Sequence, residues 1–163
     1  MPQILLSLGS NVDQENNIRS AVSALAEEFG FMRMSSVYKT AAVGFEGDDF
    51  YNLVVALHSE LLPSEINAVL KRIEKQQGRS TCEKGFASRK IDIDLVTYGD
   101  YAGVLDGVEL PRNELHKYAF VLYPIVEIAG EQRCPGSQMT YHGLWMSKQL
   151  DSQVLKKIEF DWA

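Results

Sequence analysis

The chain has 163 residues, 45% of them hydrophobic, and 22 acidic against 16 basic side chains give a formal net charge of −6. That length favours a single domain over residues 1–163, burying roughly 70% of the surface its unfolded chain exposes, with no need of a disulfide or metal to hold a core. No run of about 18 apolar residues is present to span a membrane, and the acidic balance argues against nucleic acid as a partner, since phosphates reward a basic face.

The N-terminus, Met1-Pro2-Gln3-Ile4-Leu5-Leu6, has no basic stretch ahead of its apolar run and no cleavage-type site, so export is not expected. Cys82 and Cys134 have no CxxC spacing. Two isolated cysteines read most simply as reduced thiols in a cytoplasmic protein.

Gln3 to Leu8 is a short apolar run stopped by Gly9-Ser10-Asn11, which reads as a buried strand entering a turn. From Asn16 to Phe29 the residues Ile18, Val22, Leu25 and Phe29 recur at spacings of three and four, predicting an amphipathic helix with Gly30 as a left-handed cap. Phe31 to Tyr38 is β-prone and leads into the polar, glycine-containing segment 39–49, and Phe50 to Leu57 is a second β-rich run. Pro63 and Ser64 open a helix with Ile66, Val69, Leu70 and Ile73 on one face, ending near Gly78. Residues 79–89 are polar and irregular, and Lys90 to Tyr98 is a strand. The order β-α-β-β-α-β predicts a ferredoxin-like α+β sandwich with helices on one face of an antiparallel sheet. A short hairpin (Gly99 to Glu109), a helix around Phe120–Ile128 and a C-terminal helix near Gly143–Leu150 are added to that core.

Charge is unevenly spread. Lys71, Arg72, Lys75, Arg79, Lys84, Arg89 and Lys90 stand against only Glu74 and Glu83 in the same stretch. A local basic segment in an acidic protein suggests a small anionic ligand such as a nucleotide, although a solvated helix face running into a loop gives the same pattern. Immediately after it, Ile91-Asp92-Ile93-Asp94-Leu95 alternates strictly. Side chains two apart in a strand point to one face, so two carboxylates stand side by side while the apolar residues face the core. Adjacent acids raise each other's cost of ionisation unless a cation sits between them. Mg2+ takes one or two protein carboxylates and completes its shell with water and phosphates. An edge strand with two ordinary acids remains the plain alternative. Acids for metal beside bases for phosphate is the arrangement phosphoryl transfer requires. No G-x-x-x-x-G-K-[ST] loop and no protein-kinase signature is present, so phosphates must be held by side chains.

With these residues in view, the chain resembles the 6-hydroxymethyl-7,8-dihydropterin pyrophosphokinase family over nearly its whole length. The resemblance rests on Ser7-Leu8-Gly9-Ser10-Asn11, Ser35-Ser36-Val37-Tyr38-Lys39-Thr40, Phe50-Tyr51-Asn52 and the segment from Ile73 to Arg79. Arg89 to Leu95, Phe120-Val121-Leu122-Tyr123-Pro124 and Glu127-Ile128-Ala129 complete it. It implies that the pyrophosphoryl group of ATP moves to a reduced pterin alcohol, with AMP released, in folate synthesis. It also implies two Mg2+ ions on Asp92 and Asp94, and Phe50 and Phe120 sandwiching the pterin. Asn52 would read the ring's edge, with Thr40 and the backbone near Val43 completing that pocket. Glu74, Arg79 and Arg89 match the nucleotide and phosphate side, Arg79 and Arg89 beside the reacting phosphates. Segments 41–49 and 79–89 match loops that close over the substrates. The partners implied are ATP and the reduced pterin alcohol, for a protein expected to be a monomer.

Two stretches depart from the family pattern. Where a Trp-Gly-Pro-Arg stretch is usual, this chain has Thr81-Cys82-Glu83-Lys84-Gly85-Phe86-Ala87-Ser88-Arg89. After Pro111, Arg112 stands where a His is typical and Lys117 near where an Arg is. The differing geometry and charge of these groups leave open a second reading, a divergent paralogue that binds a pterin or nucleotide with little transferase activity. A sheet presenting aromatics to RNA is a third reading, disfavoured by charge and by the lack of an aromatic-basic string. His58 and His142 have no partner pattern and read as structural or surface residues.

Overall fold

In the computed structural model the described residues are 1–41, 49–77, 91–150, 153 and 155–162. Val43, Arg79, Arg89, Cys82 and most of the two expected closing segments lie outside them. Strand β1 (Gln3–Ser10) leads to helix α1 (Gln14–Phe29), then β2 (Arg33–Met34), β3 (Val37–Thr40), β4 (Phe50–His58), α2 (Pro63–Gln76) and β5 (Asp92–Tyr98). A hairpin of β6 (Gly103–Leu105) and β7 (Val108–Leu110) follows, then α3 (Glu114–Lys117), α4 (Ala119–Ala129), α5 (Tyr141–Ser147) and β8 (Lys156–Ile158). The predicted elements are all present. The short α3 and the strand β8 are additions, and the β-prone run after Gly30 is split at Ser35-Ser36.

Local chemistry accounts for several boundaries. Gly30 closes α1 with φ +78° and ψ −138°, and its N–H donates to Ala26 O at 2.9 Å. The φ is one glycine takes freely, but the ψ lies outside the expected left-handed helical region. Pro63 takes the first position of α2, where its missing N–H costs nothing. Between β6 and β7, Asp106 (φ 54°) and Gly107 (φ 76°) form a two-residue turn whose positive φ values match the twist of a tight hairpin. The Asp106 carboxylate then accepts from the N–H (3.0 Å) and the hydroxyl of Ser64, so the hairpin caps α2 from outside the helix.

The main sheet runs β5-β1-β4-β3-β8, with β2 also on β4, and all these pairings are antiparallel. One face of the sheet presents Ile4, Leu6, Leu8, Leu53, Val55, Leu57, Ile91, Ile93 and Leu95 to the apolar sides of α1 and α2. The expectation of helices on one face is met there, but α4 and α5 cover part of the opposite face. Leu5, Val54, Ala56 and Val96 pack against Leu122, Ile125, Tyr141 and Leu144. Each fully buried aliphatic side chain contributes about 1.5–3 kcal/mol, which fixes which face each strand turns inward.

Strand β5 changes parity along its length. Leu6 pairs with Leu95 but Leu5 pairs with Thr97, so Val96 is an extra residue. Such a bulge turns Val96 and Thr97 to the same side. Val96 then packs under α4 while Tyr98 still joins the α1/α2 core. Without it, Asp92, Asp94 and Tyr98 would share a face.

Helix α4 is tied to the sheet by Glu127, whose carboxylate accepts from Ser36 N–H (2.9 Å), Ser36 Oγ (2.7 Å) and the Tyr38 hydroxyl (2.7 Å). Burial alone pushes the Glu127 carboxyl up. The donors from Ser36 and Tyr38, with Lys157 nearby, more than offset it and leave the group below its ordinary value of 4.5. A depressed acid stabilises the fold above its unfolded pKa and loses that contribution as pH falls through the folded value. Glu127→Ala is therefore expected to lower urea-unfolding stability by about 1 kcal/mol at pH 7, the solvent-open carboxylate discounting the figure. The gap between variant and wild type should narrow below about pH 4.5; a gap unchanged down to pH 3 refutes this account.

Candidate functional site

The face that carries α4 is not covered to its end. Gly9 pairs with Asp92 on one side and with Asn52 on the other, while Tyr38 pairs with Asn52 and Thr40 with Phe50. By strand parity Asp92, Asp94, Gly9, Asn52, Phe50 and Thr40 all turn to this face. They lie beyond the apolar patch that α4 and α5 fill. Two interstrand steps separate Asp92 from Asn52, roughly 10 Å across the sheet. The carboxylate pair and the buried amide therefore lie on one face, two strands apart, with Gly9 between them.

Gly9 is the residue that opens this face. A Cβ there would lie 3.1 Å from Asn52 Oδ1 and 3.7 Å from Phe50 Cδ1. In sequence Gly9-Ser10-Asn11 reads as the stop of the strand where it enters a turn, but β1 continues through Ser10. The signal available was a glycine inside a strand pattern, which marks close approach by another group.

Asn52 is 3% exposed, and its Nδ2 donates to Thr40 Oγ1 at 2.9 Å. Thr40 thus orients the amide so that Oδ1 faces Gly9. Phe50, half-buried, begins β4. Phe120, also half-buried, is the second residue of α4 and stacks on Tyr118 with ring centroids 4.9 Å apart and planes inclined by 22°. Tyr118 was not singled out from sequence, where nothing separates it from other aromatics.

Asp94 has its side chain 44% exposed, with Arg112 Nη2 3.8 Å from Oδ1. Arg112 is anchored by its own N–H to Val96 O (2.8 Å) and by Nε to Glu114 Oε2 (3.0 Å). Burial raises the Asp94 carboxyl above its ordinary value of 3.8. Arg112 pulls it down and Asp92 and Glu114 push it up, with a net rise. Two hard oxygen donors on one face, one of them costly to ionise, suit a small divalent cation. Among the described residues no third His, Cys, Asp or Glu joins them in a metal-holding group.

Glu74, expected on the nucleotide side, is 4% exposed, and its Oε2 accepts from Ile93 N–H at 2.9 Å. Its carboxylate thus fixes the backbone between the two aspartates, with Lys71 Nζ 4.0 Å from the other oxygen. The structure brings together Asp92, Asp94, Arg112, Asn52, Thr40 and Phe50, with Phe120 on the helix bordering the same face. His58 is exposed at the end of β4 and His142 is exposed in α5. Cys134 is buried, which pushes its thiol up and keeps it in the unreactive form.

The chain matches the family model described as 7,8-dihydro-6-hydroxymethylpterin-pyrophosphokinase over residues 5–130. A 2-amino-4-hydroxy-6-hydroxymethyldihydropteridine pyrophosphokinase of Aquifex aeolicus is 36% identical over 130 residues, covering 78% of this chain and 81% of the relative. The protein so named in Porphyromonas gingivalis is 35% identical over 135 residues, covering 79% and 92%. The chain spans only 31% of the folate synthesis bifunctional protein of Arabidopsis thaliana, at 29% identity over 150 residues. A crystal structure of an HPPK-DHPS in complex with substrates superposes with a TM-score of 0.72 at 11% identity, over 90% of this chain and 45% of that one. At that identity the likeness speaks for the fold alone.

The carboxylate site can be probed without any ligand. Because Arg112 draws the Asp94 titration down, Arg112→Ala is expected to move it to higher pH, read by carboxyl 13C NMR. An unmoved midpoint would show that the 3.8 Å pair is electrostatically silent.

Proposed function

Because the chain belongs to the 7,8-dihydro-6-hydroxymethylpterin-pyrophosphokinase family, we propose that it transfers the pyrophosphoryl group of ATP to the hydroxyl of 6-hydroxymethyl-7,8-dihydropterin, releasing AMP, in folate biosynthesis. The observation that carries this reading onto particular residues is the row Asp92–Gly9–Asn52 across three strands. The family match supports the reaction, and on this reading it takes place along that row.

On this reading Asn52, held by Thr40, hydrogen-bonds the polar edge of the pterin. Phe50 and Phe120 close on its two faces, where a flat heteroaromatic gains from stacking. Gly9 lets the ring lie against the sheet, and its hydroxymethyl arm points along the row toward Asp92. Asp92 and Asp94 would hold Mg2+, which when bound neutralises the triphosphate and templates the displacement. Arg112, 3.8 Å from Asp94, is placed to turn its guanidinium to a phosphate oxygen once a cation takes over the carboxylate. Arg79, Arg89 and the backbone near Val43 belong to this assignment too, from outside the described residues. Glu74 acts from beneath, keeping the Asp92–Asp94 segment in register. The alcohol oxygen attacks the β-phosphorus and the bond to the AMP oxygen breaks, so the site's task is alignment more than covalent chemistry.

The same reading takes residues 1–163 as one domain with a ferredoxin-like core, its strand order β5-β1-β4-β3 being the one that topology requires. It also takes the protein to be a cytoplasmic monomer that acts on small molecules and not on nucleic acid. No helix among the described residues is long and apolar enough to cross a membrane.

The test is direct. With ATP, Mg2+ and the reduced pterin alcohol, AMP should appear only when the pterin is present. Asp92→Ala and Asp94→Ala should each slow its release by ~10²-fold or more, with folding unchanged by circular dichroism. Pterin binding with no AMP release would replace this reading with a binding paralogue. The glycine offers a separate check: Gly9→Ala should raise the KM for the pterin by about tenfold and leave the KM for ATP where it was. Equal changes in both constants would place the pterin elsewhere.

A further inference from the structure

Helix α4 begins one residue after α3 ends, and Phe120 rides on its first turn. The residue between, Tyr118, is extended (φ −122°, ψ 126°) and offers α4 no side-chain cap. Its carbonyl accepts from Val121 and Leu122, both at 3.1 Å, while the N–H of Ala119, the first residue of the helix, has no acceptor inside it. That N–H is buried at the base of the aromatic wall, for Ala119 is 1% exposed.

The partner comes from 34 residues further along. Gln153 Oε1 accepts from Ala119 N–H at 2.8 Å, and Gln153 Nε2 donates to Lys117 O at 2.9 Å. One planar amide thus bridges both sides of Tyr118, as a neighbouring strand would. Tyr118 N–H is itself held by Glu114 O at 3.0 Å. The junction is fixed on each side, and with it the direction in which Tyr118 and Phe120 leave the backbone. Gln153 lies beyond residues 5–130, where the family match ends. Further along, β8 pairs with β3 through Val37–Ile158, Tyr38–Lys157 and Lys39–Lys156. Strand β3 carries Thr40, the partner of Asn52.

We propose that Gln153 is a positioning residue for pterin binding, its side-chain amide clamping the Lys117–Ala119 junction so that Phe120 stands ready to stack on the substrate. The inference rests on the functional reading above. It assigns to a segment outside the matched region a share in substrate affinity, exerted without touching the substrate. A wall already oriented loses less entropy when the ring docks, so the effect falls on pterin affinity and not on phosphate chemistry.

Gln153→Met keeps the side chain's length while removing both hydrogen bonds, and Gln153→Ala removes the packing as well. Pterin affinity measured by calorimetry in the presence of a non-hydrolysable ATP analogue and Mg2+ should weaken about tenfold in both variants. The affinity for the ATP analogue alone should stay within twofold, and kcat at saturating pterin should be kept. If Gln153→Met binds pterin like wild type and only its thermal midpoint falls, Gln153 is a helix cap and the proposal is overturned. Equal weakening of both ligands overturns it too, as general loosening. A wild-type protein that binds no pterin overturns the functional reading and this inference together, whereas wild-type binding with unaffected variants overturns this inference alone.

Discussion

Strand β1 lies between β4 and β5, and the hydrogen bonds on its two sides set the spacing of everything the site uses. The constraint is pleat parity. With Leu6 and Leu8 committed to the α1/α2 core and Leu5 to the α4 side, Ser7 and Gly9 have no choice of face. Their partners Asp94, Asp92 and Asn52 then follow by register. A slip of one residue would send the carboxylates into the apolar core, a cost far larger than the few kcal/mol by which domains are stable. Site geometry and core packing are thus one requirement, and neither can drift without the other.

The carboxylate pair sits in tension within that frame. Burial makes ionised Asp94 costly and its neighbour Asp92 adds to the cost, while Arg112 relieves part of it. A cation between the two carboxylates would relieve that repulsion further. The amide end is the reverse: Asn52 is buried, bonded to Thr40 and fixed.

Much of this was legible in the residues. The alternation over 91–95 gave the strand and the common face of the acids, and Pro63 and the apolar spacing after it gave α2. Features set by distant partners were not legible. The bulge at Val96 shows only when β5 is laid on β1, since the sequence reads as unbroken alternation up to Leu95 and a plain β run after it. Strand β8 is three residues, Lys156-Lys157-Ile158, of which only the last is apolar, and it exists because β3 has an open edge. Gly9 resembled a turn because its reason for being glycine sits on β4. Glu74 matched a nucleotide-side position, yet its burial and its bond to Ile93 come from α2 packing on the edge of the sheet.

That last bond has a consequence for how the molecule meets its own kind. Among the described residues β5 is the outermost strand on its side, and an outermost strand offers unpaired N–H groups to any other chain in extended form. At Ile93 the offer is already taken by a carboxylate from the protein's own helix. A second copy adding a strand there would have to displace Glu74 from Ile93 N–H. The contact that steadies the two aspartates therefore also occupies an N–H that another extended chain would need in order to pair with this strand.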